Sequence, residues 1–170
     1  MKYILLKKSD AQRYWNLLNA LDYETEFMMY EPGERSPSMT RLEGLLSDVE
    51  THPEDTFVLA AEEKGELVGF VSAGRGGHRR TAHSAYIVCG VRAAYRGQGV
   101  GTELFRRLDE WARANGIHRL ELTVLCENEI ALRLYRKSGF EIEGTRRHSM
   151  KVGGVYKDEY DMSKLYPEEV

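Results

Sequence analysis

The spacing of apolar positions changes several times along the chain, and each change predicts an element. Tyr3-Ile4-Leu5-Leu6 is a short apolar run that reads as a first strand. Tyr14, Leu17, Leu18 and Leu21 then recur at helical spacing behind Ser9 and Asp10, two residues suited to cap a helix start. A second helical pattern from about Ser38 carries Leu42, Leu45, Leu46 and Val49 on one face, and His52-Pro53 ends it. Residues 56–62 and 66–73 read as strands joined by Glu63-Lys64-Gly65, a hairpin signal. The Gly- and Arg-rich stretch 74–81 reads as a solvated turn.

The strongest pattern runs over residues 85–115. A β-branched run, Tyr86-Ile87-Val88-Cys89-Gly90-Val91, leads through a glycine turn into a long amphipathic helix. Val100, Leu104, Leu108 and Trp111 or Ala112 share one face of it, and Gly116 closes it. Residues 119–125 alternate as a strand, 128–138 form a helix stopped by Gly139, and 140–143 and 150–162 read as further strands turning at Gly153-Gly154. The order β-α-α-β-β-β-α-β-α-β-β predicts an α/β domain around a mixed sheet. Strands are too dense between residues 56 and 91 for a regular doubly wound fold.

Composition narrows the picture. At 170 residues and 42% hydrophobic, residues 1–170 are expected to form a single domain with a sizeable core. A net charge of −3 argues against a nucleic-acid binder. Cys89 and Cys126 lie in apolar surroundings without disulfide or metal-ligand spacing, so a reduced, cytoplasmic protein without a metal is expected. The N-terminus has no apolar run of signal-peptide or membrane-span length, so no membrane association is expected.

The candidate chemistry lies in the glycine turn Arg96-Gly97-Gln98-Gly99-Val100-Gly101. Glycines let the backbone approach an anion closely, and the first amides of a helix lack intrahelical partners, so this turn reads as a pyrophosphate seat. A mononucleotide P-loop would need Lys then Ser or Thr after the last glycine, and Gly101 is followed by Thr102 and Glu103. A dinucleotide fingerprint would need glycine where Thr102 stands. Glu121, about 20 residues on, keeps that reading as a runner-up. The third pattern, Arg-x-x-Gly-x-Gly at Arg96, Gly99 and Gly101, resembles the acyl-CoA motif of the GNAT superfamily of N-acetyltransferases.

A second stretch, Asn128-Glu129-Ile130-Ala131-Leu132-Arg133-Leu134-Tyr135-Arg136-Lys137-Ser138-Gly139-Phe140, is similar to that family's second signature, and it follows about 30 residues after the first. Glu143-Gly144 with Tyr156, Asp158, Tyr160 and Met162 also resembles bacterial members, while the first 50 residues match only in outline. The resemblance implies an acyl-CoA N-acyltransferase fold: a mixed, mostly antiparallel sheet of about seven strands flanked by about four helices. It also implies acetyl-CoA as cosubstrate and an amine as acceptor, and dimers are common among relatives.

Residue by residue, the resemblance has the amides of Gly97, Gln98, Gly99, Val100, Gly101 and Thr102 holding the pyrophosphate, with Arg96 supplying charge. The backbone of Cys89 and Val91 would pair with the pantetheine arm where the central strand splays from its neighbour, and Gly90 would be a bulge there. The Val91 amide would face the thioester carbonyl. Asn128 would hydrogen-bond the cosubstrate, and Tyr135 would be the general acid for the departing thiolate.

No residue stands out as the base. Relatives often carry Glu near the position of Tyr86, and that carboxylate is missing here. His83, Glu31, Glu34 or water are the candidates. The stretch 24–37, with Phe27, Met28, Met29 and Tyr30, reads as a loop lining a pocket, and its carboxylates favour a cationic acceptor. The rival reading is an acyl-CoA-binding sensor without turnover.

Overall fold

The computed structural model describes residues 1–167. Its elements follow in the order β1 (Lys2–Leu5), α1 (Ala11–Glu24), α2 (Thr40–Thr51), β2 (Thr56–Glu63), β3 (Glu66–Arg75), β4 (Ser84–Val91), α3 (Val100–Ala114), β5 (Arg119–Leu125), α4 (Glu129–Lys137), β6 (Glu141–Val152) and β7 (Val155–Leu165). The strands make one sheet in the order β1-β2-β3-β4-β5-β7-β6. Every pairing is antiparallel except β4 with β5. The expected mixed, mostly antiparallel seven-stranded sheet with four helices is what forms. A single parallel pair removes the dinucleotide reading, which needs a run of parallel strands.

Alternation along the strands sorts side chains to the two faces. On one face Val58, Ala60, Leu67 and Phe70 pack under α1 and α2 through Leu17, Leu18, Leu21 and Leu46. On the other, Leu59, Ile87, Leu120, Leu122 and Met162 pack under α3 and α4 through Leu104, Phe105, Leu108 and Leu132. The helices α1 and α2 reach only the first half of the sheet, so among the described residues the outer face of β5, β7 and β6 has no helix on it.

Several expectations change. Gly90 is not a bulge, because β3 and β4 keep register from Gly69↔Val91 to Arg75↔Ala85. The bulge lies in β3, where the partners of Ala61 and Glu62 are Gly69 and Leu67 and Val68 is passed over. Gly90 is needed for packing: a Cβ there would lie 2.8 Å from Leu21 Cδ1 and 3.3 Å from Phe70. Residues 144–149 are part of β6, which runs unbroken from Glu141 to Val152 with irregular register and His148 at φ 53°. Arg75 is no solvated tip. Its guanidinium donates to the carbonyls of Glu54, Ala82 and Asn115 at 2.6–3.2 Å, tying three segments together. Lys64 and Gly65, at φ 52° and 85°, make the tight hairpin turn that the sequence signals.

Candidate active site

The parallel pairing of β4 and β5 stops early. Ser84, Ala85 and Tyr86 pair with Arg119, Leu120 and Glu121, after which both strands continue without each other. From Ile87 on, the β5 side of β4 has no strand partner among the described residues. The opening faces the C-terminal ends of both strands, where each chain turns into a helix. The N-termini of α3 and α4, with the positive ends of their dipoles, therefore sit at the mouth of one cleft.

The glycine turn expected to seat a phosphate has a left-handed backbone at two of its glycines. Gly97 and Gly99 take positive φ of 71° and 82°, and a Cβ built on either meets no atom within 4 Å. The first backbone bond into α3 runs from the Glu103 amide to the Gly99 carbonyl at 3.0 Å. Among the described residues, no backbone acceptor takes the amides of Gly99, Val100, Gly101 or Thr102. Gly101 has a different use, since a Cβ there would lie 2.8 Å from Leu134 Cδ2, and its absence lets α3 and α4 start side by side. Val100 is buried in the core, and Gln98 folds back to donate to the Ala94 carbonyl at 2.8 Å. Glu103 in the first turn of α3 is compensated, because the guanidinium of Arg106, then that of Arg107, holds its carboxyl down at about 2.

Arg96 has a structural tie as well as a charge. Its Nε donates to the Val91 carbonyl at 2.9 Å, fixing the end of β4 and leaving the outer guanidinium nitrogens without a hydrogen-bond partner among the described residues. Asn128 caps α4, its side-chain oxygen accepting from the Ala131 amide at 3.2 Å, so its NH2 group is what it can offer a ligand. Glu24, at the end of α1, accepts from the Ala93 amide at 2.9 Å and from Arg92. Burial works against its charge, but these donors outweigh it and hold its carboxyl below the usual carboxylate range. This tether joins residues 69 apart in sequence, and no local pattern signals it.

Tyr135 stands on α4 with its ring among Phe105 and Phe140, at centroid distances of 5.6 and 6.1 Å. It is 7% exposed. Its hydroxyl lies 3.2 Å from Cys89 Sγ, on the β4 wall of the cleft. Burial, then the neighbouring Cys89, pushes the Tyr135 phenol well above its ordinary value. Burial likewise pushes the Cys89 thiol up to about 11. Both groups therefore hold their protons at neutral pH. On the opposite face of the sheet, Tyr86 hydrogen-bonds Thr123 Oγ1 at 2.9 Å across the same strands.

Of the candidate bases, His83 is not brought together with these groups. His83 precedes β4 at the closed end, six residues before Cys89 and so about 20 Å away along an extended strand. Its ring neighbours His118 instead. Glu34 is engaged in its own turn, accepting from the Glu31 amide at 2.8 Å, and both carboxylates are exposed. In the 24–37 loop, Met28 packs on the α1–α2 core, whereas Phe27 and Met29 are 43% and 71% exposed.

Residues 18–140 match the model of the Acetyltransferase (GNAT) family. The chain belongs to the GNAT acetyltransferase family. Among curated relatives, the L-amino acid N-acetyltransferase AaaT of Escherichia coli is 33% identical over 105 residues, 59% of this chain and 63% of that protein. The N-alpha-acetyltransferase RimI of Mycobacterium tuberculosis is 35% identical over 112 residues, 66% of this chain and 67% of that one. The chain thus aligns with about two thirds of the length of these relatives.

Solved structures match over almost the whole chain. A GNAT-family acetyltransferase from Streptococcus pneumoniae superposes with a TM-score of 0.91 at 28% identity, covering 98% of this chain and 99% of the other. The yncA protein of Salmonella typhimurium, solved with its cofactor acetyl-CoA, gives 0.86 at 20% identity, covering 99% and 95%. The two stretches 96–101 and 128–140 fall within the matched residues and lie at the N-terminus of α3 and on α4, the two helices that begin at the mouth of the cleft.

Proposed function

We propose that this protein is an N-acetyltransferase that moves the acetyl group of acetyl-CoA to a primary amine by direct attack. The observation that carries the reading is the opening of β4 from β5 after Tyr86, with free helix amides and the Tyr135 hydroxyl at its mouth. The names of the two curated relatives, one acting on amino acids and one on an N-terminal amine, support an amine acceptor on a small molecule or a protein.

The bound thioester supplies an already activated acyl group, so the protein has mainly to align, polarise and protonate. The amides of residues 97–102, with the outer nitrogens of Arg96, receive the pyrophosphate. The unpaired edge of β4 at Cys89 and Val91 takes the pantetheine arm as an added strand would, and the Val91 amide faces the carbonyl oxygen. Asn128 donates through its NH2 group. Tyr135 is the general acid, giving its proton to the departing thiolate. Holding the amine and the carbonyl in line contributes up to about 7–11 kcal/mol in well-aligned cases.

The amine comes to the cleft already neutral, its proton lost to water at the open face beside Tyr86 and Thr123. No carboxylate stands on β4 to take it. The test is a screen of amine acceptors that follows free thiol release, alongside a thermal-shift series with acetyl-CoA, NAD and ATP. Stabilisation by acetyl-CoA with turnover of an amine is expected. A midpoint that acetyl-CoA leaves unmoved would overturn the reading.

A further inference from the structure

The proton that Tyr135 is proposed to give away is one that its surroundings retain. A leaving thiolate has an ordinary pKa of about 8.5, whereas burial lifts the phenol well above its own ordinary value. Once the proton has gone, a negative charge rests on the Tyr135 oxygen at a site 7% exposed. Such a charge is poorly held unless a donor faces it. Among the described residues, the one side-chain group within hydrogen-bond distance of that oxygen is Cys89 Sγ, at 3.2 Å.

Two rigid elements fix this contact. Cys89 sits in β4 opposite Val71 of β3, in unbroken register, so its sulfur cannot drift along the sheet. Tyr135 is wedged by Phe105 and Phe140. Either atom can be the donor, since a thiol both gives and accepts a weak hydrogen bond. Because Cys89 ionises only at about 11, its sulfur still carries hydrogen wherever the reaction runs near neutrality. It opposes ionisation of Tyr135 only after losing that hydrogen itself.

We propose that Cys89 is a positioning residue for the transfer: its thiol holds the Tyr135 hydroxyl at the cleft wall, then turns its S–H onto the phenol oxygen as that oxygen gives up its proton. The inference rests on Tyr135 being the general acid. In the step, the Tyr135 O–H bond breaks and an S–H bond forms on the leaving thiol. The O–H electron pair stays on the phenol oxygen as phenolate, and Cys89 donates to it without forming or breaking a covalent bond. Water then returns a proton to Tyr135, balancing the one the amine released to water.

The test is a double-mutant cycle with Cys89→Ala and Tyr135→Phe, with Cys89→Ser as the conservative variant. Acetyl-CoA turnover is measured with an amine, or as slow thioester hydrolysis with water as acceptor. Cys89→Ala is expected to lower kcat about ten-fold with the KM for acetyl-CoA within about two-fold. In the Tyr135→Phe background the same change lowers kcat no further, and Cys89→Ser recovers most of the loss.

A second readout needs no turnover. In the ligand-free protein, with carbon-13 in the tyrosine rings, the Cζ resonance that vanishes in Tyr135→Phe shifts in Cys89→Ala and returns towards its original place in Cys89→Ser. Equal losses in both backgrounds, a serine variant no better than alanine, or an unmoved resonance would overturn this inference and leave Tyr135 as the acid. Full turnover by Tyr135→Phe would overturn the role of Tyr135 and this inference with it.

Discussion

Strands β1 to β3 and strands β5 to β7 belong to one sheet but are built differently. In the first group both faces are covered, and the run Phe57-Val58-Leu59-Ala60-Ala61 is buried throughout. In the second only the α3–α4 face is covered. Leu120, Leu122 and Val124 are buried, while Arg119, Glu121 and Thr123 on the other face are only partly so. Arg119 pairs there with Glu121 and Glu143 at 2.7 Å. The bare face is thus a polar surface in its own right. β4 is the seam between the two halves, and the cleft opens along it where β4 loses its partner after Tyr86. Under the proposed chemistry, an amine reaches the acyl group from the uncovered side.

The largest expected effect lies on the seam. Tyr135→Phe should lower kcat by about a hundred-fold or more, within the usual range for loss of a general acid, with CoA affinity nearly unchanged. Steady-state kinetics with binding calorimetry separate the two. Next comes the covered half, where Asp22 is 1% exposed and held by Arg35 through bonds of 2.7 and 3.0 Å. Arg35→Ala strands a buried carboxylate and should destabilise by about 3–5 kcal/mol. Arg119→Ala on the open face should change stability by no more than about 1 kcal/mol. Equal shifts in urea midpoint for these two variants would break the comparison.

Paired glycines sharpen it further. Gly90→Ala, pressed against Leu21, should lose about 1–3 kcal/mol by overpacking. Gly144→Ala, with open space around its Cβ and no positive φ, should change stability by about 0.5 kcal/mol or less. Thr123→Val should be similarly mild in stability, yet raise KM for the acceptor without touching that for acetyl-CoA.

The pH profile follows from the same site. Cys89 ionises at about 11 and Tyr135 well above the ordinary phenol value, so both stay protonated through neutral and mildly alkaline pH. kcat/KM should therefore rise with pH as the amine loses its proton, with no alkaline fall below about pH 10. A fall starting near pH 8 would mean that a different group supplies the proton.

Much of this was legible in order along the chain. The turn at Arg96 to Gly101, the stripe of Leu104 and Leu108, and the Asn128–Tyr135 helix each carry a short-range signal: a glycine at positive φ, a period of 3.6, a cap. What could not be read depends on a partner far off in sequence. Gly90 resembles a bulge residue until α1 is seen against it. Arg75 resembles a solvated tip until three distant carbonyls are seen around it. Residues 144–149 lack an apolar alternation, because that part of β6 is largely exposed; residues 144–146 are held by the ladder to β7, and the His148 amide donates to the Asp158 carboxylate. The contact between Cys89 and Tyr135 spans 46 residues and two elements, and nothing near either residue announces it.

The ion pair of Asp22 with Arg35 also bears on how such a chain can diversify. Between those two positions most side chains are exposed, Met28 on the core excepted, so exchanges at the exposed positions from Glu26 to Glu34 would leave the helices on either side undisturbed. The two anchoring residues can change only together, and a gene library randomised between them while keeping both would be the natural way to give this scaffold a new acceptor.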